Sequence, residues 1–290
     1  MSPATRAGRH HRSDRLEKRS HMPITTESFD GAFWPDEVTA TIALACITGA
    51  PFARSLTALP TSKPNTAFPT ASPTGFDFVG EGQPLPQVDL NDSKYVVATC
   101  KLAGTFSLSN ESLDDADSDL GGALGLAVKD AMSPKLDEGL LFGSGGDEPE
   151  GVMDVAPEFM GGADYRADVV LGWAEMVDAG ADPEAIIAFA SASVIGWELA
   201  RTDNEGRPIH QGTTPMLGPV RMVAVPTLSA GQTLLVDTSR VFLVVRNDFQ
   251  VDFSGHEKFS SDSTVARIRG RFSIAAPHSA KSLRKITAAS

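Results

Sequence analysis

The chain has 290 residues, of which 41% are hydrophobic and 21% charged, enough for one large core or two modest ones and too apolar for wholesale disorder. Its net charge of -12 is uneven: Arg6, Arg9, Arg12, Arg15, Lys18 and Arg19 outweigh Asp14 and Glu17, leaving +4 on residues 1–22 and -16 on the remainder. So acidic a body repels phosphate and argues against a sequence-reading DNA-binding domain.

In chain order, residues 1–30 read as a flexible basic leader, with Met22 a candidate true start. Val38 to Phe52 is interrupted by Thr39, Thr41, Thr48, Gly49 and Pro51, too short and polar for a signal peptide or a membrane span. Asp36 caps an expected helix over Glu37 to Leu59, which Pro51 should break or kink. Pro60, Pro64, Pro69 and Pro73 make 60–75 extended or loop structure rather than a core element. Residues 76–107 read as a long two-stranded excursion: Phe76 to Val79 go out, Asn91-Asp92-Ser93 turns, and Tyr95 to Ser107 return. Such a hairpin has little core of its own.

Ser109 or Ser112 opens the strongest helix, with Glu111, Asp114, Asp115, Asp117 and Asp119 at its positive end. Leu120, Leu124, Ala127 and Ala131 form its expected apolar stripe, and Pro134 should kink or divide it before Gly143-Ser144-Gly145-Gly146. Residues 165–245 alternate. A helix ends at Gly180, Ala185 to Ala190 is a buried strand, and Ser191 to Arg201 is a helix with Ile195 and Leu199 on one face. Glu205-Gly206-Arg207-Pro208 turns, and strands cover Val220 to Val225, Thr233 to Val236 and Val241 to Val245. Phe249 to Ala276 is strand-rich, and the basic tail from Lys281 is expected to fray.

Motifs for chemistry fall short. His256-Glu257 has no second histidine at the spacing of a zinc protease helix, and Gly143-Ser144-Gly145 is no nucleophile elbow. Ser282 and Lys285 have a nucleophile–base spacing but lie on the expected frayed tail. Asp115-x-Asp117-x-Asp119 starts like a calcium loop, yet Leu120 and Leu126 stand where Gly and Glu are required. The glycines at 143–146 follow a helix and lack the lysine and hydroxyl of a phosphate cradle. His210, His256 and His278 are isolated in sequence, and Cys46 and Cys100 are neither a C-x-x-C pair nor a disulfide framework; they read as small buried hydrophobes of a reducing compartment. No catalytic, cofactor-binding or metal-binding residue is assigned.

The order of elements, with several local matches, resembles the HK97-like major capsid proteins of tailed bacteriophages, distant relatives of encapsulins. Phe78-Val79-Gly80-Glu81-Gly82 through Pro86 looks like the start of that family's extended loop. Lys101-Leu102-Ala103 through Asp115 looks like the entry to its spine helix, and Leu140 through Val152 like the exit. Gly206-Arg207-Pro208-Ile209, Leu217-Gly218-Pro219-Val220, Ala266-Arg267-Ile268-Arg269 and Ala276-Pro277 resemble its later segments. The resemblance covers about residues 30 to 283. It implies an α+β fold: a leader (1–30), an N-terminal arm (31–70), an extended loop (71–107), a peripheral domain with the spine helix (108–160), an axial domain (161–245), a return to the peripheral domain (246–283) and a frayed tail (284–290).

It further implies a structural shell protein, not an enzyme. Hexamers and pentamers would form an icosahedral head around double-stranded DNA, touched without sequence preference. Scaffold, portal and decoration proteins would be partners, no membrane or cofactor would be involved, and the virion would assemble in the host bacterial cytoplasm. Because the stretch before the arm is short, the scaffold is expected to be a separate protein. Some members cross-link a loop lysine to an asparagine with help from a glutamate. Here Lys94 or Lys101 matches the lysine, but Asp262 falls at the asparagine position and Arg269 at the glutamate position. Ionised Asp is a poor acyl donor and Arg cannot act as a base, so no cross-link is expected. The competing readings are an encapsulin-type compartment and an enzyme of unrelated fold, the latter disfavoured by the lack of any catalytic constellation.

Overall fold

The computed structural model describes residues 47–70, 76–87, 93–111, 120–159, 161–162, 164–210, 212 and 214–287, without the side chains of 120–124, 248 and 259. The basic leader, Cys46, the first part of the helix expected from Glu37 and the acidic run 114–119 lie outside these residues.

Two sheets organise the chain. The first has five strands: β5 (Ile186–Ala190), β6 (Met216–Leu217), β7 (Val220–Ala224), β8 (Gln232–Asp237) and β11 (Leu283–Thr287), in the order β11-β8-β5-β7-β6. β5 is parallel to β7 and antiparallel to β8. All five residues of β5 are buried, because both faces are covered, which is why its sequence is a continuous apolar run. Ile187 and Phe189 face the larger core with Leu234, Val236 and Leu283. Ile186, Ala188 and Ala190 face the other way, under helices α4 (Tyr165–Asp178) and α5 (Ala192–Leu199), with Val169, Met176, Val194 and Ile195. Asp164 caps α4, its carboxylate accepting the Arg166 N–H, and Gly180 leaves that helix at φ 91°, a conformation side chains resist.

The second sheet contains β1 (Thr57–Pro60), β4 (Cys100–Ser109), β9 (Phe242–Lys258) and β10 (Ser263–Ala275), ordered β1-β9-β10-β4. Strand β1 is parallel to β9, while β10 is antiparallel to both β9 and β4. One face packs Val251, Ile268 and Phe272 into the larger core with the long helix α2 (Leu120–Phe142), through Val128, Leu136 and Leu140, and the short helix α3 (Val152–Val155), through Val152 and Met153. Phe249 and Phe272 meet at 4.7 Å, and Phe52 meets Phe189 edge-on at 4.9 Å. The latter contact ties the short helix α1 (Pro51–Ser55) to the five-stranded sheet. A two-stranded ribbon of β2 (Asn65–Pro69) and β3 (Lys94–Ala98) leans on the second sheet, Phe68 stacking on Phe242.

Several expectations are corrected. Pro51 does break the expected helix: Ile47 and Thr48 are helical, Gly49 and Ala50 are not, and Pro51 opens a separate helix, whose first position needs no N–H and favours proline's fixed φ. That helix ends at Ser55, and Leu59 lies in a strand. The proline-rich stretch pairs: β2, not residues 76–87, is the partner of the returning strand β3, and 76–87 forms no strand. The rest of the return, β4, is an edge of the main sheet rather than half of a free hairpin. Helix α2 runs unbroken through Pro134, which lies on its exposed side where water reaches the carbonyl that proline leaves unbonded. Its buried face is Val128, Ser133, Leu136, Asp137, Leu140 and Leu141, while Ala127 and Ala131 are exposed and the side chains of Leu120 and Leu124 are not described. The boundary expected at 245/246 falls inside the single strand β9. The tail expected to fray from 284 is instead β11, antiparallel to β8, with Leu283 and Ile286 buried. With only two apolar residues in five, that strand has too weak a pattern to read alone, and it is the antiparallel pairing with β8 that orders it.

Candidate assembly surfaces

Every residue from 76 to 87 is exposed, including Phe76 at 75%, Phe78 at 108% and Leu85 at 84% of their full surface. The local chemistry explains the lack of a strand. Pro84 and Pro86 cannot donate to a ladder, and Gly82, at φ 81°, turns the chain where the Gln83 N–H reaches the Gly80 carbonyl at 3.1 Å. Burying side chains of this size is worth about 1.5–3 kcal/mol each, and nothing in the described chain buries them. Apolar groups gathered on one excursion mark a surface made to be covered.

Trp197, Ile209 and Met216 are exposed as well, while Glu198, next to Trp197 on α5, is fully buried. Its Oε2 lies 3.2 Å from Arg166 Nε, 3.4 Å from His210 Nε2 and 3.8 Å from an Arg201 guanidinium nitrogen. A buried carboxylate is tolerable only with such partners. The loop that carries His210 is braced by Asp203, whose Oδ1 accepts the N–H groups of Glu205 and Arg207 at 2.8 Å.

The arm side of the molecule is fastened by Asp137. This residue of α2 is 1% exposed, and its carboxylate accepts the N–H of Phe52 at 3.0 Å and of Ala53 at 2.9 Å. It therefore caps α1 from a distant helix, filling donors that the first turn leaves open. Burial pushes its pKa up to about 6, against the opposing pull of those two N–H groups and of Arg54.

The residues matched to cross-linking chemistry are spread over the second sheet and the ribbon. Lys94 begins β3, Lys101 lies on β4 and Arg269 on β10. Asp262, at φ 44°, sits in the turn joining β9 to β10. Its Oδ1 accepts a 2.7 Å bond from Asn110 Nδ2, and Asn110 Oδ1 in turn accepts from Thr264 Oγ1 at 2.7 Å. Arg269 pairs with Asp252 at 3.3 Å. Ser282 is buried with its hydroxyl bonded to the His278 carbonyl, not to Lys285. Residues 143–146 form a closed turn in which Gly151 N–H reaches the Gly143 carbonyl at 2.8 Å. Among the described residues no three His, Cys, Asp or Glu side chains gather as for a metal, and no helix is long and apolar enough to cross a membrane. Sequence reading missed Asp137 and Glu198; a lone acid among mostly apolar helix neighbours was the available signal for Glu198, whereas Asp137, flanked by Lys135 and Glu138, carried none.

This is the architecture of viral shell subunits. It matches a solved structure from Microbacterium phage Oxtober96 with a TM-score of 0.65 at 16% identity, covering 91% of this chain and 96% of that one. The capsid of an empty GTA particle matches at a TM-score of 0.62 and 14% identity, covering 92% and 95%. A virus-like particle from Pyrococcus furiosus matches at 0.58 and 9% identity, covering 87% and 98%. At these identities the likeness is one of fold. No curated protein matches the sequence. The sequence profile of the phage capsid family matches residues 35–285, and the chain belongs to that family. It is a structural, shell-forming protein of the virion with the HK97-like α+β fold expected from its sequence, and it acts as a homo-oligomer.

Proposed function

We propose that this chain is the major capsid protein of a tailed bacteriophage, assembling as hexamers and pentamers into an icosahedral head around double-stranded DNA. The observation that carries this is the fully exposed apolar segment 76–87 on a chain of the phage capsid family. An isolated subunit has no use for it, whereas a neighbour in a shell covers it. In this reading 71–107 is the extended loop and α2 the spine helix. The five-stranded sheet with α4 and α5 is the axial body, to which β11 adds a strand. The exposed Trp197, Ile209 and Met216 meet neighbouring copies. Scaffold, portal and decoration proteins are partners, and assembly takes place in the host bacterial cytoplasm.

The shell is held without covalent links and the chain carries no catalysis. The support is chemical: Asp262 is a poor acyl donor and Arg269, engaged by Asp252, cannot serve as a base. Negative-stain microscopy of the expressed protein tests the reading. Uniform closed shells or capsomers are expected, and a stable compact monomer with enzymatic turnover would refute it. The likeness to the Pyrococcus furiosus virus-like particle favours a second reading, an encapsulin-type compartment. Particles purified with protein cargo in place of DNA would decide for that.

A further inference from the structure

A hollow of about 570 Å³ opens between α1 and β7, lined by Arg54 and Ser55 of α1, Arg221 and Val223 of β7, Ile195 of α5, and Thr214. No acidic side chain lines it. Arg221 stands on β7 between its register partners, Ile187 of β5 and Met216 of β6. Neither can answer a charge, so a guanidinium here gains nothing from its cross-strand neighbours. Among the described residues no carboxylate pairs with it. One terminal nitrogen of Arg54 donates to the Thr48 carbonyl at 3.2 Å, and the rest of that fork is open. Asp137, which feels the charge of Arg54, is buried and committed to the N–H groups of Phe52 and Ala53. Ser55 spends its hydroxyl proton on the Pro51 carbonyl at 2.8 Å, whereas the exposed Thr214 hydroxyl has no partner among the described residues.

Two guanidinium forks and a hydroxyl, from three separate segments, thus line one hollow with donors in excess. A planar carboxylate is satisfied by a single guanidinium, while a phosphate offers oxygens to more than one, and arginine is the cation best suited to it. The body carries a charge of -16 and repels phosphate as a whole, so nucleic acid can come close only where the local field is reversed. We infer that this hollow binds a phosphate of the nucleic acid enclosed by the shell, Arg54 and Arg221 sharing one phosphodiester and Thr214 donating to it. Only backbone oxygens are held, so no base is read. This rests on the reading above of a shell around double-stranded DNA, and gives that contact a place on the chain.

Full-length protein tests this. Binding of unassembled subunits to a labelled duplex is followed by fluorescence anisotropy over a range of salt. Arg221→Gln should weaken binding at low salt at least about tenfold, the worth of one charge-assisted hydrogen bond. Each neutralised phosphate contributes about 0.9 to the slope of log K against log salt, so Arg54→Gln with Arg221→Gln should lower the slope by about 0.9 and not by twice that. Duplexes of unrelated sequence should respond alike. In the wild type, phenylglyoxal, which modifies free guanidinium groups, should label Arg221 more slowly in DNA-filled shells than in empty ones. That measurement needs no substitution and so survives a variant that fails to fold. A folded Arg221→Gln subunit with unchanged affinity and slope would overturn the inference, as would equal labelling of filled and empty shells. Protection of Arg221 by inorganic phosphate or by polyglutamate, but not by duplex DNA, would make a free anion or an acidic protein the partner and overturn it too. Shells that never hold nucleic acid would overturn the underlying reading instead.

Discussion

Removing the carboxylate of Asp137 should loosen the junction between the arm and the long helix, and the effect should depend on pH. In Asp137→Ala the buried N–H groups of Phe52 and Ala53, 0% and 1% exposed, lose their acceptor. A buried polar group left unsatisfied costs about 1–3 kcal/mol. Against this, the substitution relieves the burial of a charge. The pKa of Asp137 rises from 3.8 to about 6 on folding, so between those values the folded state binds more protons than the unfolded one. Stability from this group is therefore highest below about pH 4 and falls as pH rises to 6, by roughly 3 kcal/mol at most at about 1.36 kcal/mol per pH unit. The two effects oppose each other at neutral pH. With two N–H groups left open, Asp137→Ala should cost about 2–6 kcal/mol at pH 4.5 and roughly 2 kcal/mol less than that at pH 7.5. Thermal or denaturant unfolding of unassembled subunits at both values measures this, with Asp137→Asn as the non-titrating control. Equal losses at the two pH values would refute the argument about burial, and no loss at either would refute the cap.

Phe78→Ser should leave subunit unfolding within about 0.5 kcal/mol of wild type, as surface changes do, yet reduce shell yield in sedimentation; a matching loss of subunit stability would contradict its exposure. Glu198→Ala strands Arg166, Arg201 and His210 around an empty site and should cost about 2–3 kcal/mol in urea unfolding, an unchanged midpoint speaking against the cluster. In Gly143→Ala the added methyl meets the carbonyls of Pro149 and Gly139, and a loss of about 1–3 kcal/mol is expected by thermal melt. Boiled, reduced shells should run as one monomer band on a denaturing gel, and ladders would show that Asp262 is an acyl donor after all.

What local pattern encodes was readable. The apolar run at 186–190, the helix closing at Gly180 and the long helix ending at Gly143 all follow from propensity, period and turn chemistry within a few residues of each position. The order of these pieces was enough to indicate the family and the α+β class. Elements ordered by partners far along the chain were not readable. Strand β2 ends on Pro69 and follows Pro64, a pattern that argues for a loop, and it is a strand because Lys94 to Ala98 pair with it. Strand β11 looks like a basic tail and is held by Leu283 and Ile286 on the two faces of a sheet.

The same division applies to the surfaces that matter. The sequence by itself determined that a segment rich in Phe, Gly and Pro carries acids and no bases, because that is a property of consecutive residues. It also shows an acid at 262 and an arginine at 269, the positions the resemblance gives to a cross-linking asparagine and glutamate, and so leads to the expectation of no cross-link. Only the tertiary structure decided that Lys101 faces Arg271 across 170 residues of chain, or that Asp137 closes a helix 84 residues away. Contacts of that span are selected by packing two sheets and a helix around one core, and no window of sequence contains both partners.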